Sequence, residues 1–412
     1  MKAKGLLFIS VLLCLTCTSS LFAENEPHKK GSYSITFDER SRLSSLAEMK
    51  KRNIGVTDSK DEYQIKDITY GVTVPNNYNP STPMGLFVWI SAGDSGKPPE
   101  QFLAPLAKNG FIYIGADKTG NDHPIRRRLG AAIDAAANMK KLYNIDPSRI
   151  FVSGNSGGGR CASYAAVIFP DVFTGGAFYV VGCDFWKDSK LIKQAKDHYF
   201  VFLTGSQDFN QPGTIVAYEA YKKEGFKHCR YSEVPDMGHT TPPSEYFEKG
   251  LVFLNSPLKE KGKTALQEGI QKVKWKKYVD ALSLFEQAKG CGIEEAQAQI
   301  DAITAQVDAE TAKGLKYLEE KNTAGARVLF QTIIRTFGEG ISSRAKEELN
   351  KIENDPVFVN DRKAAELFLR IQKSYEAADK AKTAESLKKL IADYPDTTSA
   401  ERAKTTLKNM GL

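Results

Sequence analysis

The chain has 412 residues, of which 41% are hydrophobic and 26% charged. That is the balance of two or three globular domains rather than of a disordered or fibrous chain. The formal net charge is +7, and two of those positive charges, Lys2 and Lys4, stand at the extreme N-terminus; so mild an excess gives no reason to expect a nucleic-acid partner.

Lys2 and Lys4 precede the apolar run "GLLFISVLLCLTC", small residues and "LFA". The pattern predicts a secretory leader over residues 1–23, cut after Ala23, and hence a secreted or periplasmic protein. The run is short for a membrane span, and no later segment is apolar enough for one. Cys14 and Cys17 would leave with the leader. Cys161, Cys183, Cys229 and Cys291 remain, in a spacing that fits no zinc pattern and allows three full disulfide pairings that sequence does not rank. His28 falls in a charged stretch that reads as disordered.

From there to about residue 256, strand-like and helix-like segments alternate. "YGVTVPNNYNP" reads as a strand running into a turn, and "GLFVWISAG" and "GFIYIGAD" as buried strands. "RRLGAAIDAAANMKKLYNI" reads as a helix ending before Asp146-Pro147, "RIFVSG" as a strand and "GRCASYAAVIF" as a helix. "TGGAFYVVG", "DHYFVFLTG" and "CRYSEVP" are further strands, and "SEYFEKGLVFL" closes the region as a helix. Apolar strands alternating with helices predict a doubly wound, mostly parallel sheet covered on both faces.

Composition shifts near residue 257 from Gly, Pro and aromatics to Ala, Lys, Glu and Leu at helical spacing, with the polar "NSPLKEKGK" as the joint. The predicted domains are therefore 24–256 and 257–412. In the second, the stretch from Tyr317 to Ile352 aligns with Tyr375 to Met410, pairing Phe337 with Tyr394 and Ala345 with Ala403. The offset of 57 or 58 residues differs from the 34 of a tetratricopeptide array, but alternating small and large residues predict stacked helical hairpins of a tetratricopeptide-like kind, with a surface for partners.

The chemistry centres on Gly154-Asn155-Ser156-Gly157-Gly158, which fits G-x-S-x-G between a predicted strand and a predicted helix. In that setting the serine takes a strained backbone conformation and its Oγ stands free above the sheet. The Gly157 N–H, at a helix N-terminus, is the expected first oxyanion donor. The motif needs a base on the loop after the last strand, which "VPDMGHTTPP" supplies as His239. His198 and His228 lie at strand starts, His123 precedes the serine in the chain, and His28 lies outside the domain's strands. The acid should follow the penultimate strand, which selects Asp208 in "LTGSQDFN", with Asp184 as runner-up. The second oxyanion donor is expected from "SAGDSG", at the Gly93 N–H.

With these residues in place, positions 66–254 resemble α/β-hydrolases of the polyhydroxybutyrate-depolymerase-like and feruloyl-esterase-like type. The matching pieces are "YGVTVPNNYNP", "YNIDPSRIFVSGNSGGG", "LTGSQDFNQPGT" and "VPDMGHTTP". The resemblance implies a serine ester hydrolase with Ser156 as nucleophile, Asp208 as acid and His239 as base, without a cofactor or a metal. It departs from those enzymes at Ser91-Ala92, where they commonly carry His-Gly, and it says nothing of residues 257–412.

Two features carry lesser expectations. Arg126, Arg127 and Arg128 open a helix and suggest either anion capture or ordinary ion pairing. Phe185 and Trp186 follow a strand on the side of Ser156 and are candidates for lining a substrate pocket. The expectation is thus an exported hydrolase of esters, polymeric ones included, with a helical tail that docks a protein or the cell envelope. A serine peptidase on the same fold and a binding scaffold whose tail is the main functional part are the alternatives.

Overall fold

Along the inner strands, successive side chains alternate between two apolar cores. Leu86, Val88 and Ile90 join one apolar core while Phe87 and Trp89 join another. Ile112 and Ile114 against Phe111 and Tyr113, and Phe200 and Phe202 against Val201 and Leu203, repeat the division. A strand with apolar residues at every position is wetted on neither face, so a layer must cover each side. The computed structural model, which describes residues 26–54, 63–320, 322–375 and 380–411, shows both layers.

Eight strands form one sheet in the order β1-β2-β4-β3-β5-β6-β7-β8. They are β1 (Gly31–Thr36), β2 (Thr69–Val74), β3 (Met84–Ile90), β4 (Phe111–Ala116), β5 (Ile145–Asn155), β6 (Gly176–Val180), β7 (Tyr199–Gly205) and β8 (His228–Val234). β2 runs antiparallel to β1 and β4, and every pair from β4 to β8 is parallel. The helices are α1 (Leu46–Lys51), α2 (Leu103–Lys108), α3 (Ile125–Leu142), α4 (Gly157–Ile168), α5 (Ile192–Ala195), α6 (Gln211–Glu224) and α7 (Ser244–Leu254). One core takes side chains of α3, α4 and α6, the other those of α2 and α7. This strand order, with its antiparallel start and parallel right half, is the α/β-hydrolase fold.

Three details differ from the sequence reading. The helix expected to reach residue 145 stops at Leu142, and β5 begins at Ile145, ahead of Pro147. The ladder to β3 is irregular there, between Met84 and Leu86, and such a break accommodates a proline that cannot donate to the ladder. The stretch around His28 is ordered: its Nδ1 lies 3.0 Å from the Tyr78 hydroxyl and its N–H donates to Leu142 O. The polar joint is helical, because only Asn255 separates the end of α7 from the start of α8 (Ser256–Lys274). Pro257 sits in its first turn, where the missing N–H costs nothing.

The chain divides into two compact units between Ser256 and Pro257. The second unit is all α: α8, α9 (Tyr278–Gly290), α10 (Glu295–Glu319), α11 (Thr323–Phe337), α12 (Ser343–Asn354), α13 (Pro356–Tyr375), α14 (Lys380–Asp393) and α15 (Thr398–Asn409). The internal alignment maps α11–α12 onto α14–α15, with Ala345 and Ala403 both fully buried. Its apolar side chains form two clusters, one from α8 to α13 that centres on Phe285 and Phe330, the other from α13 to α15 around Leu387 and Leu390. The expected leader, residues 1–23, lies outside the described residues. Among the described residues no helix is long and apolar enough to cross a membrane.

Candidate active site

Ser156 stands at the C-terminal end of the central strand β5, with φ 52° and ψ −121°. A non-glycine residue in that region is strained, and such strain is held only where the surroundings over-determine it. Here the Ser156 N–H donates to Val180 O at 2.9 Å while its carbonyl already accepts from Arg160 N at 3.1 Å, inside α4. Strand and helix meet so closely that a Cβ on Gly154 would lie 2.6 Å from Gly158 O, and one on Gly158 2.9 Å from the Ser91 carbonyl carbon. Both glycines are thus demanded by packing, and the sharp corner leaves the serine side chain at the sheet edge.

Two further loops reach the same edge. Asp208 follows β7 and His239 follows β8, and the two loops are stitched together. Ser206 N donates to Val234 O at 3.0 Å, Gln207 N to Met237 O at 3.0 Å, and Asp236 N to Ser206 Oγ at 2.8 Å. The outcome is a continuous chain: His239 Nε2 lies 2.8 Å from Ser156 Oγ, and His239 Nδ1 lies 2.7 Å from Asp208 Oδ1. The carboxylate also accepts Thr204 Oγ1–H on Oδ2 at 2.7 Å and the Asn210 N–H on Oδ1 at 3.0 Å. Its side chain is wholly buried while the imidazole is 24% exposed. A buried carboxylate with its lone pairs filled fixes the ring tautomer: Nδ1 carries the proton and Nε2 is left to accept one.

The other titratable candidates sit elsewhere. Asp184 is engaged by Arg160 Nη1 at 2.9 Å and by the Tyr164 hydroxyl at 3.3 Å. His123 pairs with Asp94 at 3.1 Å, His228 stacks on Tyr199, and burial pulls His198 below the usual imidazole range. Phe185 packs against Tyr221 and Phe226, and Trp186 meets Tyr164 edge-on; both rings are half-buried. Arg126 is fully buried, and Arg128 donates to the carbonyls of Thr119 and Ser91. Arg128 thereby tethers the loops after β3 and β4 to α3.

At the oxyanion side, Gly157 opens α4, where the first N–H groups have no acceptor within the helix. Gly93, the other expected donor, gives its N–H to Ser91 Oγ at 3.1 Å, and the neighbouring Ala92 N–H goes to Asn155 Oδ1 at 3.1 Å.

Sequence reasoning missed Thr204, Asn155 and Asn210, whose roles depend on partners brought in by the fold. It also missed Phe209, whose ring lies against the His239 imidazole. An aromatic directly after the expected acid was the available signal.

No family model matches the chain, and no curated protein matches it. Among solved structures it is similar to esterase 2 of Thermogutta terrifontis phosphorylated by paraoxon, at 18% identity and a TM-score of 0.36, over 47% of this chain and 88% of that one. It is similar also to a thermostable esterase at 19% identity and a TM-score of 0.36, over 54% of this chain and 60% of that one. A third is a Bacteroides ovatus protein provisionally assigned as a dipeptidyl aminopeptidase IV, at 13% identity and a TM-score of 0.37, over 48% of this chain and 34% of that one.

Proposed function

We propose that the chain is an exported serine hydrolase that cleaves carboxylic esters through an acyl-enzyme on Ser156. The observation that carries this reading is the hydrogen-bonded chain Ser156–His239–Asp208, at 2.8 and 2.7 Å, at the C-terminal edge of a parallel sheet. Nucleophile, base and orienting acid in contact are the arrangement that acyl transfer needs.

In the reaction so read, Ser156 Oγ attacks the ester carbonyl carbon while His239 Nε2 takes its proton. Asp208 stabilises the imidazolium through Nδ1–H. The Gly157 N–H faces the oxyanion of the tetrahedral intermediate, helped by the positive end of α4. Collapse breaks the bond to the alcohol oxygen, which leaves with the proton from Nε2. A water, deprotonated by the same nitrogen, then attacks the acyl carbon and releases the carboxylic acid and free Ser156.

The triad chemistry serves esters and amides alike, and the choice of ester follows the motifs around Tyr70, Ser156, Asp208 and His239. Turnover of p-nitrophenyl acetate and butyrate by the chain from residue 24 onward, beside Ser156→Ala, tests it. The reading expects turnover that falls about a thousandfold or more in the variant. Cleavage of peptidyl anilides with inert esters would make the protein a peptidase. No turnover of either would favour a binding role. For the helical unit we propose docking to a protein or the cell envelope. Deleting residues 257–412 should leave ester turnover intact and release the enzyme from the envelope fraction.

A further inference from the structure

We propose that the second donor of the oxyanion hole is the side-chain carboxamide of Asn121, and not the Gly93 backbone; the proposal rests on the serine-hydrolase reading above.

The backbone after β3 has its nearest donors already engaged. Gly93 N–H is held by Ser91 Oγ and Ala92 N–H by Asn155 Oδ1. The carbonyls are held too: Ser91 O accepts Arg128 Nη2 at 3.0 Å, and Ala92 O accepts the Asn121 N–H at 2.9 Å. The loop is therefore a cross-braced unit, and turning Gly93 N–H toward a substrate would break one of its braces. An oxyanion hole works because its donors need no rearrangement at the moment of reaction.

Asn121 stands where a replacement would have to stand. The preceding residue packs on the Gly93 side: a Cβ on Gly120 would lie 2.8 Å from the Gly93 carbonyl carbon and 2.9 Å from Asp94 Oδ1. Gly120 N–H is fixed by Asp94 Oδ1 at 2.9 Å, so this end of the loop is anchored. On the other side the Asn121 carboxamide lies directly over Gly157, the residue with the first donor. A Cβ there would collide with Asn121 Oδ1 and would come within 3.0 Å of Nδ2. The amide and residue 157 are thus immediate neighbours.

The carboxamide also has the right freedom. Among the described residues it has no hydrogen-bond partner, and Asn121 is exposed. A half-turn about χ2 exchanges its two ends at little cost, and the ends are nearly alike in shape. With Nδ2–H₂ turned to the Gly157 side in the resting enzyme, a second donor stands beside Gly157 N–H before any charge develops. This explains how the chain works without the His-Gly pair that similar hydrolases carry at Ser91-Ala92: the donor comes from the loop after β4 instead.

The test uses the chain from residue 24 onward with p-nitrophenyl butyrate, and with butylboronic acid as a stable tetrahedral anion formed on Ser156. Asn121→Ala should lower kcat about a hundredfold, the cost of one oxyanion donor, with KM within about threefold of wild type. Boronate affinity should fall in parallel. Asn121→Asp, which offers an acceptor to an anion, should be at least as slow. Ser91→Ala, which releases Gly93 N–H, should stay within about threefold of wild type. A purely structural role for Asn121 would move KM and thermal stability together and would spare the gap between boronate and substrate binding. Asn121→Ala with near-wild-type kcat, or a hundredfold loss in Ser91→Ala instead, overturns the assignment while the hydrolase reading stands. A wild type that neither turns over the ester nor binds the boronate overturns both.

Discussion

The Phe209 ring lies 4.1 Å from the His239 imidazole, centroid to centroid and tilted by 30°, and yet it is 75% exposed. A large apolar side chain left in water beside a histidine that would cycle through a positive charge has a physical use. A ring face attracts a cation by roughly 0.5–1 kcal/mol at an exposed site. The imidazolium formed during acylation would gain that attraction, and the neutral ring would not. Phe209→Leu, which keeps the apolar cover but removes the π-face, should lower kcat roughly two- to fivefold, and Phe209→Trp should restore it. Equal rates in the leucine and tryptophan variants would reduce Phe209 to a simple cover.

Asp208 and Asp184 should respond in opposite ways to the same substitution. Asp208→Asn removes the acceptor for Nδ1–H and favours the tautomer with the proton on Nε2, where it blocks the base. Ester turnover should fall by two orders of magnitude or more, on the order of the losses seen when triad members are removed, though by less than in Ser156→Ala. Asp184→Asn weakens a partly exposed pair with Arg160 and should leave kcat within about twofold. Steady-state kinetics on both variants decides it, and a crippled Asp184→Asn with a mild Asp208→Asn would move the acid to residue 184.

Cysteine chemistry should be silent in the native protein. Cys161, Cys183 and Cys229 carry free thiols, and burial raises all three, with Cys229 pushed up to about 12. The thiolate is the reactive form, so native protein at pH 8 should take up almost no iodoacetamide at these positions, and unfolded protein should take it up at all of them. Peptide mass spectrometry reads the outcome. Fast native labelling of Cys183 would contradict the packing of β6.

His198 gives stability a dependence on acid. Burial holds its imidazole below the usual 6.5, while Asp197 opposes this weakly. Its Nδ1 is buried, with no hydrogen-bond partner among the described residues. A depressed native value means that the unfolded chain binds the proton more readily. The contribution is whole above about pH 6.5 and is lost as pH falls through the lower native value. Melting temperature should therefore drop below pH 6.5, and His198→Gln should flatten that part of the curve. An unchanged slope would place the acid sensitivity elsewhere.

The two units should separate at the α7–α8 boundary if the cut keeps Asn255. Arg149 Nη2 donates to Asn255 Oδ1 at 2.9 Å, and Asn255 Nδ2 donates to Asn109 O at 2.9 Å. Among the described residues, the first unit builds two apolar clusters and the second unit builds two of its own. Residues 24–256 should keep ester turnover, and residues 257–412 should show helical circular dichroism. Residues 24–254, which take the Asn255 acceptor away from Arg149, should melt several degrees lower, as losing a buried charged hydrogen bond costs roughly 1.5–3 kcal/mol. Aggregation of the longer fragment would mean a shared core.

The strands were legible because each is a short apolar run bounded by turn residues, and α7 was read to the residue because a Pro-Pro pair starts it and Asn255 ends it. β1 was not legible: at an edge only its alternate residues are covered, so "GSYSIT" has little apolar signal. α6 is not among the elements read from the sequence; it carries Pro212 and Gly213, turn-marking residues, in its first turn. Ser156, Asp208 and His239 could be named from order and loop position, since each function is local to one strand end. Asn121 could not, because its place is defined by Gly157, 36 positions on, and only the fold brings the two together. The same holds for Arg128 and Ser91.

The central claim is that Ser156 is the nucleophile, and covalent capture tests it most directly. The wild-type chain would be incubated with a fluorophosphonate and measured by intact mass, then digested to locate the adduct. The account predicts one adduct per chain, on the peptide holding Ser156, absent from Ser156→Ala and formed at least a hundredfold more slowly in His239→Ala. An unmodified Ser156, or an adduct of equal rate in Ser156→Ala, would contradict it.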